Sequence, residues 1–99
     1  MHNRAPVGTL PQPANFAATG GDLEGSLDLS WDAIRRGVQT YIAEQAASAS
    51  GPWTQRYVGK ASKCTVSGLS SGTQYWFQVR AIGAAGPSDW SDAATKRAA

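Results

Sequence analysis

The chain has 99 residues, 41% apolar and 16% charged, with a net charge of +2. That length suits one small domain with a modest core, and the mixture is too apolar for a disordered chain. No run of about 18 apolar residues appears, which argues against a membrane span, and the near-balanced charge argues against nucleic acid, which calls for a pronounced basic face.

Residues 1–10 read as a polar leader, a linker or an appended segment. "MHNRAPVGTLPQP" has no apolar h-region of a secretory signal, so the segment itself names no compartment. The rest, 11–97, reads as one domain of short strands. The first strand is expected at 12–18, followed by the turn "TGGDLEG" at 19–25. The second, at 25–32, contains "SLDLSW", which puts Leu27, Leu29 and Trp31 on one face and Ser26, Asp28 and Ser30 on the other. Arg35 and Arg36 follow in the next loop. The third strand, at 39–47, carries "TYIAEQA", with Tyr41 and Ala43 on one side.

The turn "SASGP" at 48–52 leads to a fourth strand at 53–58, which opens on Trp53. A fifth at 61–67 turns Cys64 and Val66 inward as a central strand, and "SGLSSG" at 67–72 ends it. The sixth, at 72–82, contains "YWFQVRA": Tyr75, Phe77, Val79 and Ala81 face one way and Trp76, Gln78 and Arg80 the other. "GAAGPS" at 83–88 turns the chain into a seventh strand at 89–96. No helix-length amphipathic window lies between these segments. Short strands at regular spacing with such turns indicate an all-β antiparallel sandwich or barrel.

The chemistry of sites is sparse. The only histidine, His2, lies in the leader without a cysteine near it, so no metal site is expected. Cys64 is the only cysteine; an internal disulfide is impossible, and the thiol reads as a buried small hydrophobe without a base. The carboxylates are scattered over different strands and loops. The expectation is no enzyme and no cofactor.

From about Pro11 to Thr95 the chain resembles a fibronectin type III domain. The resemblance rests on Pro13 and Phe16, Trp31, Tyr41, the run Leu69, Gly72, Thr73 and Tyr75, then Val79 and Ala81, and finally Gly86 and Ser88. It implies an immunoglobulin-like seven-stranded sandwich. The first, second and fifth strands form one sheet; the fourth, third, sixth and seventh form the other. It also implies a tyrosine corner, in which the Tyr75 hydroxyl bonds back to backbone near Leu69; the alternative is that Tyr75 is a plain core aromatic. Two departures stand out. Ala43 occupies a position where a larger aliphatic is usual, so the core is thinner there or another side chain fills it. The loop after the sixth strand lacks the RGD tripeptide, and "RRG" at 35–37 does not replace it, so integrin adhesion does not carry over. "PSDWS" at 87–91 is similar to the second half of the WSXWS motif of cytokine receptor domains, with Pro87 in place of the first tryptophan. That similarity implies a stack of Trp90 with Arg80 as a stability device, without receptor function.

Two surfaces are candidates. Trp31 belongs to the core, but Ile42, Trp76, Arg80 and Trp90 share the outer side of the larger sheet, with Trp53 near its edge. They form a recognition patch or pack under the stems of neighbours such as Glu44 and Lys96. Arg35, Arg36 and Lys60, with Lys63 nearby, form a basic loop tip for an acidic partner or an ordinary solvated set. The expected function is a non-catalytic binding or spacer module, making protein contacts or connecting domains in a larger protein. The alternative is an accessory domain of a secreted carbohydrate-active enzyme. The Ala- and Gly-rich composition points to a bacterial source. The expected state is a monomer, with weak self-association through the outer face.

Overall fold

The computed structural model describes residues 10–99, and within them it contains strands and no helix. The strands are β1 (Ala17–Gly20), β2 (Leu27–Ser30), β3 (Thr40–Ala46), β4 (Thr54–Gly59), β5 (Lys63–Val66), β6 (Gln74–Gly83), β7 (Gly86–Pro87) and β8 (Ala94–Arg97). One antiparallel sheet has the order β1-β2-β5. The other has the order β4-β3-β6-β7, with β8 also on β6. The two-sheet arrangement implied by the resemblance is therefore present.

Alternation builds the core. β6 is buried at every second residue, from Tyr75 to Gly83. Phe77, Val79 and Ala81 face Leu27, Leu29 and Val66 of the smaller sheet in one cluster. Fully burying a side chain such as Phe77 is worth about 1.5–3 kcal/mol. Trp31 meets Phe16, Tyr41 and Tyr57 edge-on at centroid distances of 6.0, 5.3 and 6.2 Å, the geometry that aromatic quadrupoles favour. Tyr57 stands opposite Ala43 in register. Its ring packs on Gly59, where an added Cβ would come within 2.7 Å of it, and its hydroxyl donates to the Ala61 carbonyl at 3.2 Å.

A bulge between Ala43 and Glu44 throws Arg56 out of the ladder between β3 and β4. Its guanidinium donates to Gln45 Oε1 at 2.5 Å and to the Ser67 carbonyl at 2.7 Å, tying the edge of one sheet to the end of the other.

Three expectations need correction. The first strand begins at Ala17, not 12, because Pro11 and Pro13 lack an N–H to pair and Asn15 turns through φ 57° before it. The seventh strand is broken: β7 and β8 both lie along β6, but residues 88–93 between them are not strand. Cys64 does face Leu29 and the core, yet β5 is an edge strand and the thiol is half-buried, not on a central strand. Burial, and secondarily the Asp28 charge, push its pKa up to about 11.

Candidate functional site

The directions of the strands give the sandwich two poles. β2 runs into the loop 31–39, β4 into the turn 60–62, and β6 into the turn 84–85, so these three meet at one end. The chain enters here. The Ala14 carbonyl accepts from the Asp32 N–H at 2.9 Å. A Cβ placed on Gly83 would lie 2.7 Å from the Gly37 carbonyl and 2.9 Å from Leu10, so glycine is what lets the two loops close over the entering segment.

The chain leaves at the other end. The Gly72 N–H donates to the Ala98 carbonyl at 2.7 Å, and the Gly25 N–H to the Ala99 carbonyl at 2.9 Å. Gly25 sits at φ 77°, and a Cβ there would meet the Leu69 carbonyl at 2.7 Å. The tyrosine corner lies beside it. The Ser70 N–H donates to the Tyr75 hydroxyl at 2.9 Å, and the Leu69 N–H to the Gly25 carbonyl at 2.9 Å. The Ser70 bond lowers the pKa of the phenol, because it favours the phenolate. Tyr75 thus anchors the loop between the sheets.

Arg35, Arg36 and Lys60 are exposed at the entry pole, and Lys63 is exposed at the start of β5. The topology puts the two loops at one end, but no contact joins the three cations.

The outer face of the larger sheet is ordered in rows by its register. One row runs Val58, Ile42, Arg80; the next holds Glu44 opposite Gln78; the third holds Ala46 opposite Trp76, with Thr95 beyond. Ile42 and Trp76 therefore share a face without sharing a row. Four residues along the strands separate their rows, about 13 Å, and the Gln78 side chain donates across the gap to Glu44 at 3.0 Å. Trp76, Ile42 and Trp53 are half-buried. Ala46, opposite Trp76, is only 3% exposed. Arg80 lays its guanidinium 4.3 Å from the Trp90 ring centroid. Val58, at 52%, is the exposed apolar residue of this face.

Two serines that periodicity did not single out hold this arrangement. In the broken stretch 88–93 the Ser88 and Ser91 N–H groups donate to the Ala81 and Val79 carbonyls at 2.7 and 2.8 Å. Their hydroxyls accept the Ala81 and Val79 N–H at 2.9 and 3.0 Å. A hydroxyl does the work of the missing backbone carbonyl at both places, and Trp90 is left on the outer side under Arg80. The serines of "PSDWS" were the available signal.

The family model of the fibronectin type III domain matches residues 11–97. Among solved structures, the fn3 domain of the human collagen alpha-1(XX) chain is 31% identical over 99% of this chain and 92% of that one, with a TM-score of 0.79. An Fn3-like protein from Clostridium thermocellum is 21% identical over 84% of this chain and 86% of that one, at a TM-score of 0.75. Domains A168–A170 of titin match at 24% identity and a TM-score of 0.73, over 91% of this chain and only 32% of that one. No curated protein matches the chain.

Proposed function

The chain belongs to the fibronectin type III family, and from that premise we propose that it is a connector module carried in line within a larger protein. Domains of this family are a common non-catalytic module of larger proteins. The observation that carries the reading is the separation of the poles: Leu10 packs between the loops at one end, and Ala98 and Ala99 are bonded into the other. A domain entered and left at opposite ends adds its whole length to the chain. β6 has ten residues, which at ~3.3 Å each span about 33 Å.

The tryptophans support this reading over direct sugar binding. Trp31 is core, and Trp53, Trp76 and Trp90 are each half-buried, Trp90 beneath Arg80; a sugar platform needs a flat, open strip of rings. A spacer inside a secreted carbohydrate-degrading enzyme, bacterial or not, is one setting for such a connector. Protein contact through the outer face is the second reading, favoured by the exposed Val58 beside Ile42.

The test is small-angle scattering of two copies joined in tandem. An in-line connector lengthens the particle by roughly the span of β6, about 33 Å or more. Two modules lying side by side, with little gain in maximum dimension, overturn the proposal.

A further inference from the structure

The sequence holds two pairs of adjacent cations, Arg35–Arg36 and Lys96–Arg97, and the fold treats them in opposite ways. Lys96 and Arg97 lie in β8, opposite Tyr75 and Gln74 of β6. Arg97 also donates to the Gly72 carbonyl at 2.7 Å, and both backbone groups of the next residue, Ala98, are bonded to the loop before β6. A protease takes an extended, unpaired backbone into its cleft, and exposed loops supply it. The pair in β8 is closed to such an enzyme.

Arg35 and Arg36 are open. With Gly37 they form three consecutive exposed residues, and the backbone of 35–38 makes no hydrogen bond among the described residues. The bonds stop on either side: the Ile34 N–H donates to the Tyr41 hydroxyl at 2.9 Å, and the Gln39 N–H to the Ile82 carbonyl at 2.7 Å. Ile34 and Val38 pack against the core at the two ends of this gap. Lifting two half-buried side chains therefore bares the segment while the sheets stay paired. Gly37, at φ 87°, has no Cβ to hinder its swing to an extended conformation. Other exposed cations lack this freedom. Lys60 stands in a turn closed by the Tyr57 hydroxyl on the Ala61 carbonyl and by the Trp31 N–H on the Ser62 carbonyl, and Arg56 and Lys63 lie in strands.

We propose that the Arg36–Gly37 bond is a processing site for an endoprotease whose adjoining pockets take two cations in succession. Arg36 fills the pocket next to the cut, and Arg35 the one before it. Water adds to the Arg36 carbonyl carbon, the C–N bond breaks, and the nitrogen takes a proton and leaves as the Gly37 amine. The cut releases no fragment. Leu29 and Trp31 before it and Phe77 and Val79 after it belong to one core cluster, and β2 pairs with β5 across it. What loosens is the entry pole. A Cβ on Gly37 would lie 3.3 Å from Leu10, so the cut falls in a loop that holds the entering segment. In the connector reading, on which this consequence rests, processing turns a stiff entry into a hinge.

The test is proteolysis of the whole folded chain by two probes, trypsin and a dibasic-specific subtilisin-type protease, with cuts mapped by intact mass. With both, the first cut beyond residue 10 should fall after Arg36. The nicked chain should elute at the size of the intact one and part only in denaturant. Arg35→Gln should slow the dibasic-specific enzyme by about a hundredfold or more, since its second pocket is left unpaired, and leave trypsin little changed. Tyr75→Phe separates local from global opening. A cut made through global unfolding speeds up about fivefold or more with the lost stability, whereas a cut in the loop keeps its rate. The proposal is overturned by a first cut after Lys60, Lys96 or Arg97, by undiminished dibasic-specific cleavage of Arg35→Gln, by a rate that follows Tyr75→Phe, or by halves that separate on cutting. A nicked tandem that scatters with a smaller maximum dimension than the extended intact one supports the hinge, and an unchanged dimension removes it. An intact tandem lying side by side removes the connector and leaves the processing site.

Discussion

Replacing Tyr75 by phenylalanine isolates one bond of the exit pole. The ring stays in the cluster with Leu69 and Ala98, so the apolar burial is kept and no cavity of consequence opens. What is lost is the oxygen that accepts the Ser70 N–H at 2.9 Å. That amide belongs to the loop between β5 and β6, which is also tied by the Leu69 N–H to the Gly25 carbonyl and the Gly72 N–H to the Ala98 carbonyl. Leaving a partly buried donor unpaired costs about 1–3 kcal/mol. In a domain of this size each kcal/mol lowers the melting temperature by about 4–8 °C. Urea titration with global fitting reads the difference directly, and an unchanged slope identifies a loss of stability without a change of the surface exposed. A midpoint equal to wild type would refute the reasoning, because it would mean that water satisfies the Ser70 amide and that Tyr75 is only a core aromatic.

Other perturbations follow the same logic. Ser91→Ala leaves the buried Val79 N–H without its hydroxyl and should cost about 1–3 kcal/mol; Ser88→Ala should act alike at Ala81, both read by denaturant titration. Because the Cys64 pKa is raised from its ordinary value near 9 to about 11, the folded state holds a proton that the unfolded state releases between those values. Stability should therefore fall as pH rises from 9 toward 11, and Cys64→Ser should flatten that part of the wild-type profile. Trp76→Ser should lower stability by about 1–2 kcal/mol through lost burial, while sedimentation of the protein stays unchanged; a change in sedimentation with stability intact would instead make the outer face a binding surface.

Period-two alternation made β6 legible, because half its residues are buried and half are not, and the same signal set Leu27 and Leu29 against Asp28 and Ser30. Parity names a face but neither a neighbour nor a row. Cys64 was read inward correctly, yet its place on an edge strand depends on which strands pair. Ile42 and Trp76 were read onto one side, yet the register of β3 against β6 sets them apart with Glu44 and Gln78 between. The break between β7 and β8 was hidden for a different reason. Ser88 and Ser91 satisfy β6 with hydroxyls, so the strand stops in its backbone while its contacts continue.

The account rests on the chain entering one pole and leaving the other. A distance measured between spin labels at Gln12 and Ala99, in a Cys64→Ser background, tests that most directly. Both sites are exposed; Gln12 lies beside Asp92 and Ala93, level with Gln78, and Ala99 is bonded at the exit pole. The account predicts a single population centred at or above about 20 Å, the span of six strand residues. A population well below that distance would put entry and exit at the same end and contradict the connector.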